Sequence, residues 1–219
     1  MSKVAEFRRH YRGVGIAKSY SGWVNLMSNI GLCLAVLIGC LSQVKDMQLI
    51  ELLAVPVTFL IVNFEEYLSH RWPSHRRIKG FRFLFKRHSM QHHRFFTHSE
   101  MYYEMPGDFE IVLFPTRILG FYFIVFGIPL AGVSYYFWGK NVALLSLSTA
   151  VFLFLNLDLL HFYFHLKPSA FFSKVMDLVP IFRRLKENHT IHHNPMLMMK
   201  GNYNITYPVM DILFKTKIR

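Results

Sequence analysis

The sequence predicts an all-α integral membrane fold, with four transmembrane helices in two hairpins and a cytoplasmic helical cap that carries a histidine-rich dimetal site. Three observations predict it. Four apolar runs are each long enough to cross a bilayer, the basic residues avoid the two short links between those runs, and ten of the twelve histidines sit in clusters with ligand spacing.

A chain of 219 residues has room for one or two soluble domains, but 53% hydrophobic residues and 22 phenylalanines point to a membrane-embedded chain. The apolar runs are Trp23–Leu41, Leu49–Leu68, Ile118–Trp138 and Val142–Phe164. Each is near the roughly 20 residues that a hydrocarbon core about 30 Å thick requires. The links around Val44-Lys45-Asp46 and Gly139-Lys140-Asn141 are short, so the runs pair as two antiparallel hairpins. Pro56 and Pro129 fall inside spans and are expected to kink them. Phe109–Thr116 is apolar but too short to span, and is expected at the interface.

Of the 25 lysines and arginines, only Lys45 and Lys140 lie in the hairpin links. The others fall in the first 21 residues, in Ser69–Arg117 and from His165 onwards. By the positive-inside rule both termini and the middle segment are cytoplasmic, in a bacterial inner membrane or the endoplasmic reticulum alike. One membrane-embedded domain is expected over 1–219. It comprises a cytoplasmic N-terminus (1–21), a first hairpin (23–68), a cytoplasmic segment (69–117), a second hairpin (118–164) and the cap (165–219). This topology accounts for the net charge of +12, so no nucleic-acid partner is expected. Arg76, Arg77, Lys79, Lys86, Arg87, Arg183, Arg184 and Lys186 would form a basic cytoplasmic face. Cys33 and Cys40 both lie within the first run, which argues against a disulfide framework and against a thiolate metal site. No cleavage site follows the basic N-terminus, and a removed signal peptide is not expected.

The clusters are His70-Arg-Trp-Pro-Ser-His75, His88-Ser-Met-Gln-His92-His93, His161-Phe-Tyr-Phe-His165 and His189-Thr-Ile-His192-His193. Every box falls on the cytoplasmic side of the expected topology. Phe81, Leu84, Phe85, His88 and His92 follow one helical stripe; so do Leu157, His161 and His165, and so do Phe182, Leu185, His189, His192 and His193. Imidazoles in place of core residues need hydrogen bonds or metal. In the first box Pro73 intervenes, and the helix is expected to stop near Arg71 with His75 returning from a turn. A lone histidine would be read as a satisfied core residue, but ten in clusters favour ligation. Imidazoles without thiolates suit a borderline divalent metal, and ten imply two ions with about five each. Adjacent residues point about 100° apart on a helix, so His92-His93 and His192-His193 could each serve both ions.

Other polar residues near the boxes are candidates to orient imidazoles: Asp158, Glu66, Asn188 and His98. Capping or solvated roles are the alternative, least so for Asp158, which lies inside an apolar run.

At these four boxes the chain resembles the fatty acid hydroxylase / sterol desaturase superfamily of membrane di-iron oxygenases. The match includes Glu66-Tyr-Leu-Ser-His70 with His75, the second box, Asp158 ahead of the third, the fourth box, and Gly201-Asn-Tyr-Asn-Ile-Thr-Tyr-Pro208 through Asp211 to Thr216. Within it the wording is most similar to fatty acid 2-hydroxylases. The resemblance implies a dimetal centre with His70, His75, His88, His92, His93, His161, His165, His189, His192 and His193 as ligands. It also implies native iron, O2 as co-substrate and oxygen insertion into a C–H bond of a membrane lipid, most simply a fatty acyl chain. The second box departs by one residue, with three between His88 and His92 where those hydroxylases usually have two. A fused cytochrome b5 domain is not expected, and a separate cytochrome b5- or ferredoxin-like electron donor is therefore implied. A desaturase, a sterol-methyl oxidase or a carotenoid hydroxylase would share the centre. Outside the class, a bis-histidine haem carrier would leave most of the boxes unexplained. Zinc in purified protein would not identify the native metal, because it readily displaces iron.

Overall fold

A computed structural model describes residues 2–219. It is helical, and among the described residues the one β-type feature is an isolated bridge between Thr97 and Glu100. Among the described residues three segments are long and apolar enough to cross a membrane: Gly22–Leu41, Pro106–Trp138 and Lys140–Phe164. The expected second span, Leu49–Leu68, is a 3-10 helix over Leu49–Leu53 followed by an α-helix of only 16 residues.

The chain divides into two compact units, and each is taken by itself. The first contains Met1–Gly22, Asn63–Leu113 and Leu159–Arg219. It opens with helix α1 (Lys3–Val14), whose Ser2 hydroxyl accepts from the Ala5 N–H as an N-cap. Arg8 of α1 is buried, donating to the carbonyls of Phe95 and Glu100, and Arg12 pairs with the fully buried Asp108 at 2.7 Å. The helix entering this unit, α3 (Ala54–Ser69), passes directly into a π-turn over His70–Ser74. The helix therefore does not stop near Arg71. Widening to i→i+5 bonding absorbs Pro73, which cannot donate to an ordinary α-ladder. A second π-turn, Lys86–His92, lies between the short helices α4 (Arg82–Phe85) and α5 (His93–Phe95). It interrupts the single stripe expected through the second box.

The apolar side chains at the start of Phe109–Thr116 pack inside the first unit. Helix α6 (Phe109–Val112) is buried, with Leu113 at 0% exposure. Two cations also leave the expected basic face. Arg87 turns inward to Glu110 and to the carbonyls of Glu110 and Leu113, and Lys186 is buried against Ser173 of α10 (Phe171–Asp177) and the Leu166 carbonyl.

The second unit contains Trp23–Val62 and Phe114–Asp158. It is built from α2 (Gly22–Leu41), most of the 3-10 and α3 segment, α7 (Thr116–Tyr122), a third π-turn (Phe123–Gly127), α8 (Ile128–Trp138) and α9 (Lys140–Phe164). Pro56 and Pro129 sit in first turns, Pro56 after the 3-10 helix and Pro129 after the π-turn. There a missing N–H costs little, so each proline marks a change of helix type. The break at Phe114-Pro115 leaves a peptide unit outside helical bonding, and buried side chains satisfy it. Asp158 accepts the Phe114 N–H at 2.9 Å, while Asn25 and Asn29 donate to the Phe114 carbonyl. Asn29 also donates to Asp158, closing the network. Asn141 clamps the two hairpin links together, pairing with both the N–H and the carbonyl of Lys45. Outward side chains such as Ile38, Val133, Phe137 and Phe152 are apolar and exposed, a surface suited to lipid.

Candidate metal centre

The ten boxed histidines all fall in the first unit and converge as two groups of five, either of which could hold a metal ion. Group 1 is His70, His75, His88, His93 and His192; group 2 is His92, His161, His165, His189 and His193. Within each, one ligand atom per residue lies within 4.8 Å of all the others. Nine of the ten are buried and His88 is half-buried.

Local helix geometry decides the sorting. Residues five apart are about 140° apart on an α-helix, but a π-turn closes i onto i+5 and brings them to one side. His70 and His75 bracket the first π-turn, and their Nε2 atoms are 3.2 Å apart. His88 and His93 do the same across the second, at 2.9 Å. Group 2 instead takes α-helical pairs four apart: His161 and His165 at the end of α9, and His189 and His193 on α11 (Pro180–His192) and at its cap. Each adjacent pair is divided, His92 and His193 to group 2, His93 and His192 to group 1. The extra residue in the second box is accommodated because a π-turn is an α-helix with one residue inserted.

Hydrogen bonds orient the rings. A main-chain carbonyl only accepts, so an imidazole bonded to one through Nδ1 must carry its proton there. Nδ1 of His70 faces the Tyr203 carbonyl at 2.5 Å, and that of His192 faces Gly201 at 3.0 Å. In group 2, Nδ1 of His92, His165 and His193 faces the carbonyls of Ile111, Met101 and Phe96 at 3.0, 2.7 and 2.8 Å. Ser89 Oγ donates to the Ser74 carbonyl, leaving its lone pair to accept from His75 Nδ1. Six of the ten are thus held with Nε2 bare, so long as the rings are neutral.

Burial keeps them neutral. It lowers His70, His88, His92, His93, His165, His189 and His193 well below the ordinary imidazole value, and lowers His192 to about 4. The neighbouring imidazoles reinforce the effect for these seven.

Bare nitrogens then face one another. His92 Nε2 lies 3.1 Å from His193 Nε2, and His75 Nε2 lies 3.0 Å from His192 Nε2, with no proton available between either pair. Converging lone pairs repel unless a cation sits among them. The spacing also fits: nitrogens about 2.1 Å from one ion are about 3.0 Å apart at right angles and about 3.4 Å apart in a tetrahedron. The donor set fits two borderline divalent ions, with five imidazoles leaving room for one further ligand on each.

The remaining candidates lie elsewhere. The hydrogen bonds described for Asp158 go to Asn29 and the Phe114 N–H. Glu66 accepts from the N–H and hydroxyl of Thr206, tying down the segment that presents the Tyr203 carbonyl. Asn188 receives Asn202 Nδ2 on its carbonyl, and His98 is exposed near the Thr97–Glu100 bridge. Sequence reasoning missed the five carbonyls and Ser89. A carbonyl has no signature in residue identity; Ser89, a small polar residue inside a box, was the one readable sign.

No protein-family model matches the chain, and no curated protein matches it. Among solved structures it is similar to full-length Scs7p, of which only the hydroxylase domain is visible, with a TM-score of 0.60 and 19% identity. The likeness covers 91% of this chain and 67% of that one. At this identity the likeness is one of fold alone.

Proposed function

We propose that the chain is a membrane oxygenase that uses two iron ions and O2 to hydroxylate an aliphatic C–H bond of a lipid, a fatty acyl chain being the favoured substrate class. The observation that carries this reading is the convergence of ten neutral imidazoles into two five-nitrogen groups. Likeness in fold to a hydroxylase domain supports it. When bound, such ions supply reductive activation of O2 and the redox chemistry of oxygen insertion. The chain's own part is to hold the imidazoles as ligands, six of them with Nδ1 protonated, to keep them neutral by burial, and to exclude water around them. A bis-histidine haem fits poorly, because five nitrogens within 4.8 Å of one another leave no room for a porphyrin plane.

The topology that accompanies this reading is a four-span stem of two hairpins, with both termini and the histidine-rich cap cytoplasmic. The Asn141 clamp supports it by bringing the two hairpin links together, and so does the confinement of basic residues to the other segments. Electrons would come from a separate acidic donor of the cytochrome b5 or ferredoxin kind. Between Glu66 and Glu100 the chain has no acidic residue, and an open cleft of about 310 Å³ there is lined by Arg77, Arg82, Phe85, Lys86 and Met90.

The test combines metal analysis with lipid products formed under 18O2. Two ions per chain and a lipid carrying one 18O atom are expected. A new double bond without added oxygen would replace hydroxylation by desaturation. A single haem, or no metal after reconstitution, would remove the centre.

A further inference from the structure

The two groups draw their main-chain acceptors from different parts of the chain. Group 1 uses Gly201 and Tyr203, in the loop after α11. Group 2 uses Phe96, Met101 and Ile111. The loop serving group 1 is pinned by one fully buried carboxylate, Asp211 on α12 (Val209–Leu213). Asp211 Oδ1 accepts the Tyr203 N–H at 3.0 Å and the Thr216 hydroxyl at 2.7 Å, and Oδ2 accepts the Asn204 N–H at 2.7 Å. The Asp211 carbonyl also takes the N–H groups of Thr216 and Lys217. Thr216 in turn closes on the loop, its carbonyl accepting from the Asn202 N–H. The packing is tight there: a Cβ at Gly201 would meet the Thr216 carbonyl oxygen at 1.8 Å. The segment serving group 2 has its own buried carboxylate, Asp108, which accepts from the N–H groups of Glu104 and Met105 and pairs with Arg12.

We propose that Asp211 is a positioning residue for group 1 alone: it fixes the loop whose Gly201 and Tyr203 carbonyls hold His192 and His70 with their Nε2 lone pairs aimed at the ion. Asp211 touches neither imidazole. Its influence passes through the peptide units on either side of Tyr203, and group 2, which uses none of those carbonyls, lies outside it. The two metal sites are therefore separately tunable. The inference rests on the metal-binding reading above.

The test uses the full chain, reconstituted with Zn2+ and challenged with a chromophoric chelator so that release of each ion is timed. Asp211→Asn should speed the release of one ion by about 10–100-fold, the usual cost of losing an outer partner, and leave the other within about threefold. Asp108→Asn should speed the other phase. In a His70→Ala background the effect of Asp211→Asn should shrink, because one of the two imidazoles through which the residue acts is already gone. Equal acceleration of both ions in Asp211→Asn, no acceleration of either, or full additivity with His70→Ala would each overturn the proposal. Circular dichroism checks that the variants fold; if Asp211→Asn does not, Thr216→Val removes a single hydroxyl bond from the same carboxylate and is read by the same criteria. Wild-type protein that binds fewer than two ions would overturn the metal reading itself, an outcome distinct from two ions that Asp211→Asn leaves unmoved.

Discussion

An imidazole with its Nδ1 proton committed to a carbonyl can offer only a lone pair at Nε2, and in this chain that constraint fixes five of the ten histidines, two in group 1 and three in group 2. His189→Ala removes a nitrogen from group 2. It should lower metal content from two ions towards one and reduce turnover by more than about 100-fold, the upper end of the cost of merely disturbing a ligand's partner. Elemental analysis and product formation report the two effects, and retained turnover would count against ligation. Ser89→Ala leaves His75 Nδ1 without its acceptor and cuts the link from Ser89 to the Ser74 carbonyl. It should cost about 1–2 kcal/mol of stability, read from thermal unfolding in detergent. The histidines themselves were readable from the sequence, since ligand spacing is a statement about side chains. Their carbonyl partners were not, because any residue could have supplied them.

Among the elements, the regular helices were foreseen better than the irregular ones. Rotation of about 100° per residue predicts that adjacent histidines part company, and His92-His93 and His192-His193 do so. Nothing in the composition of Lys86–His92 announces a π-turn, and Pro73 read as a stop when the local answer was a wider helix. The break at Phe114-Pro115 was missed for a similar reason: its neutralising groups, Asn25, Asn29 and Asp158, come from distant parts of the chain. The π-turn makes a specific prediction. Deleting the exposed Met90 should convert Lys86–His92 to α-helical winding, turning the i,i+5 pair of His88 and His93 into an i,i+4 pair on the same side, so metal content should stay near two. Deleting Thr190 from the α-helical fourth box should instead rotate His189 by about 100° away from His193 and cost group 2 its ion. Equal loss in both deletions would refute the distinction.

At the scale of the whole molecule, the buried imidazoles tie stability to pH and to metal. Their pKa values are depressed in the folded chain and return to about 6.5 when it unfolds, so below that value the unfolded state binds more protons. Stability of the metal-free protein should be level above pH 6.5 and fall as pH drops through it, by up to about 1.4 kcal/mol per pH unit for each such histidine. Bound metal should offset this, adding about 2.7 kcal/mol per ion at a free concentration one hundred times its Kd. Thermal unfolding between pH 5 and 8, with and without chelator, gives both slopes. A metal-free protein whose melting temperature rises on acidification would contradict the burial of neutral rings.

The loop that supplies Gly201 and Tyr203 also sets an order in time. Group 1 gathers nitrogens from His70 to His192, and its orientation depends on Asp211 and Thr216. During synthesis none of the first three boxes can complete a site, since each group needs the fourth, and group 1 must wait for a segment beyond it. Metal therefore cannot nucleate this fold as it does in a zinc finger, where neighbouring ligands close locally. On the metal-binding reading an ion would enter a nearly finished protein, and until then ten neutral imidazoles would be open to whichever cation arrives first.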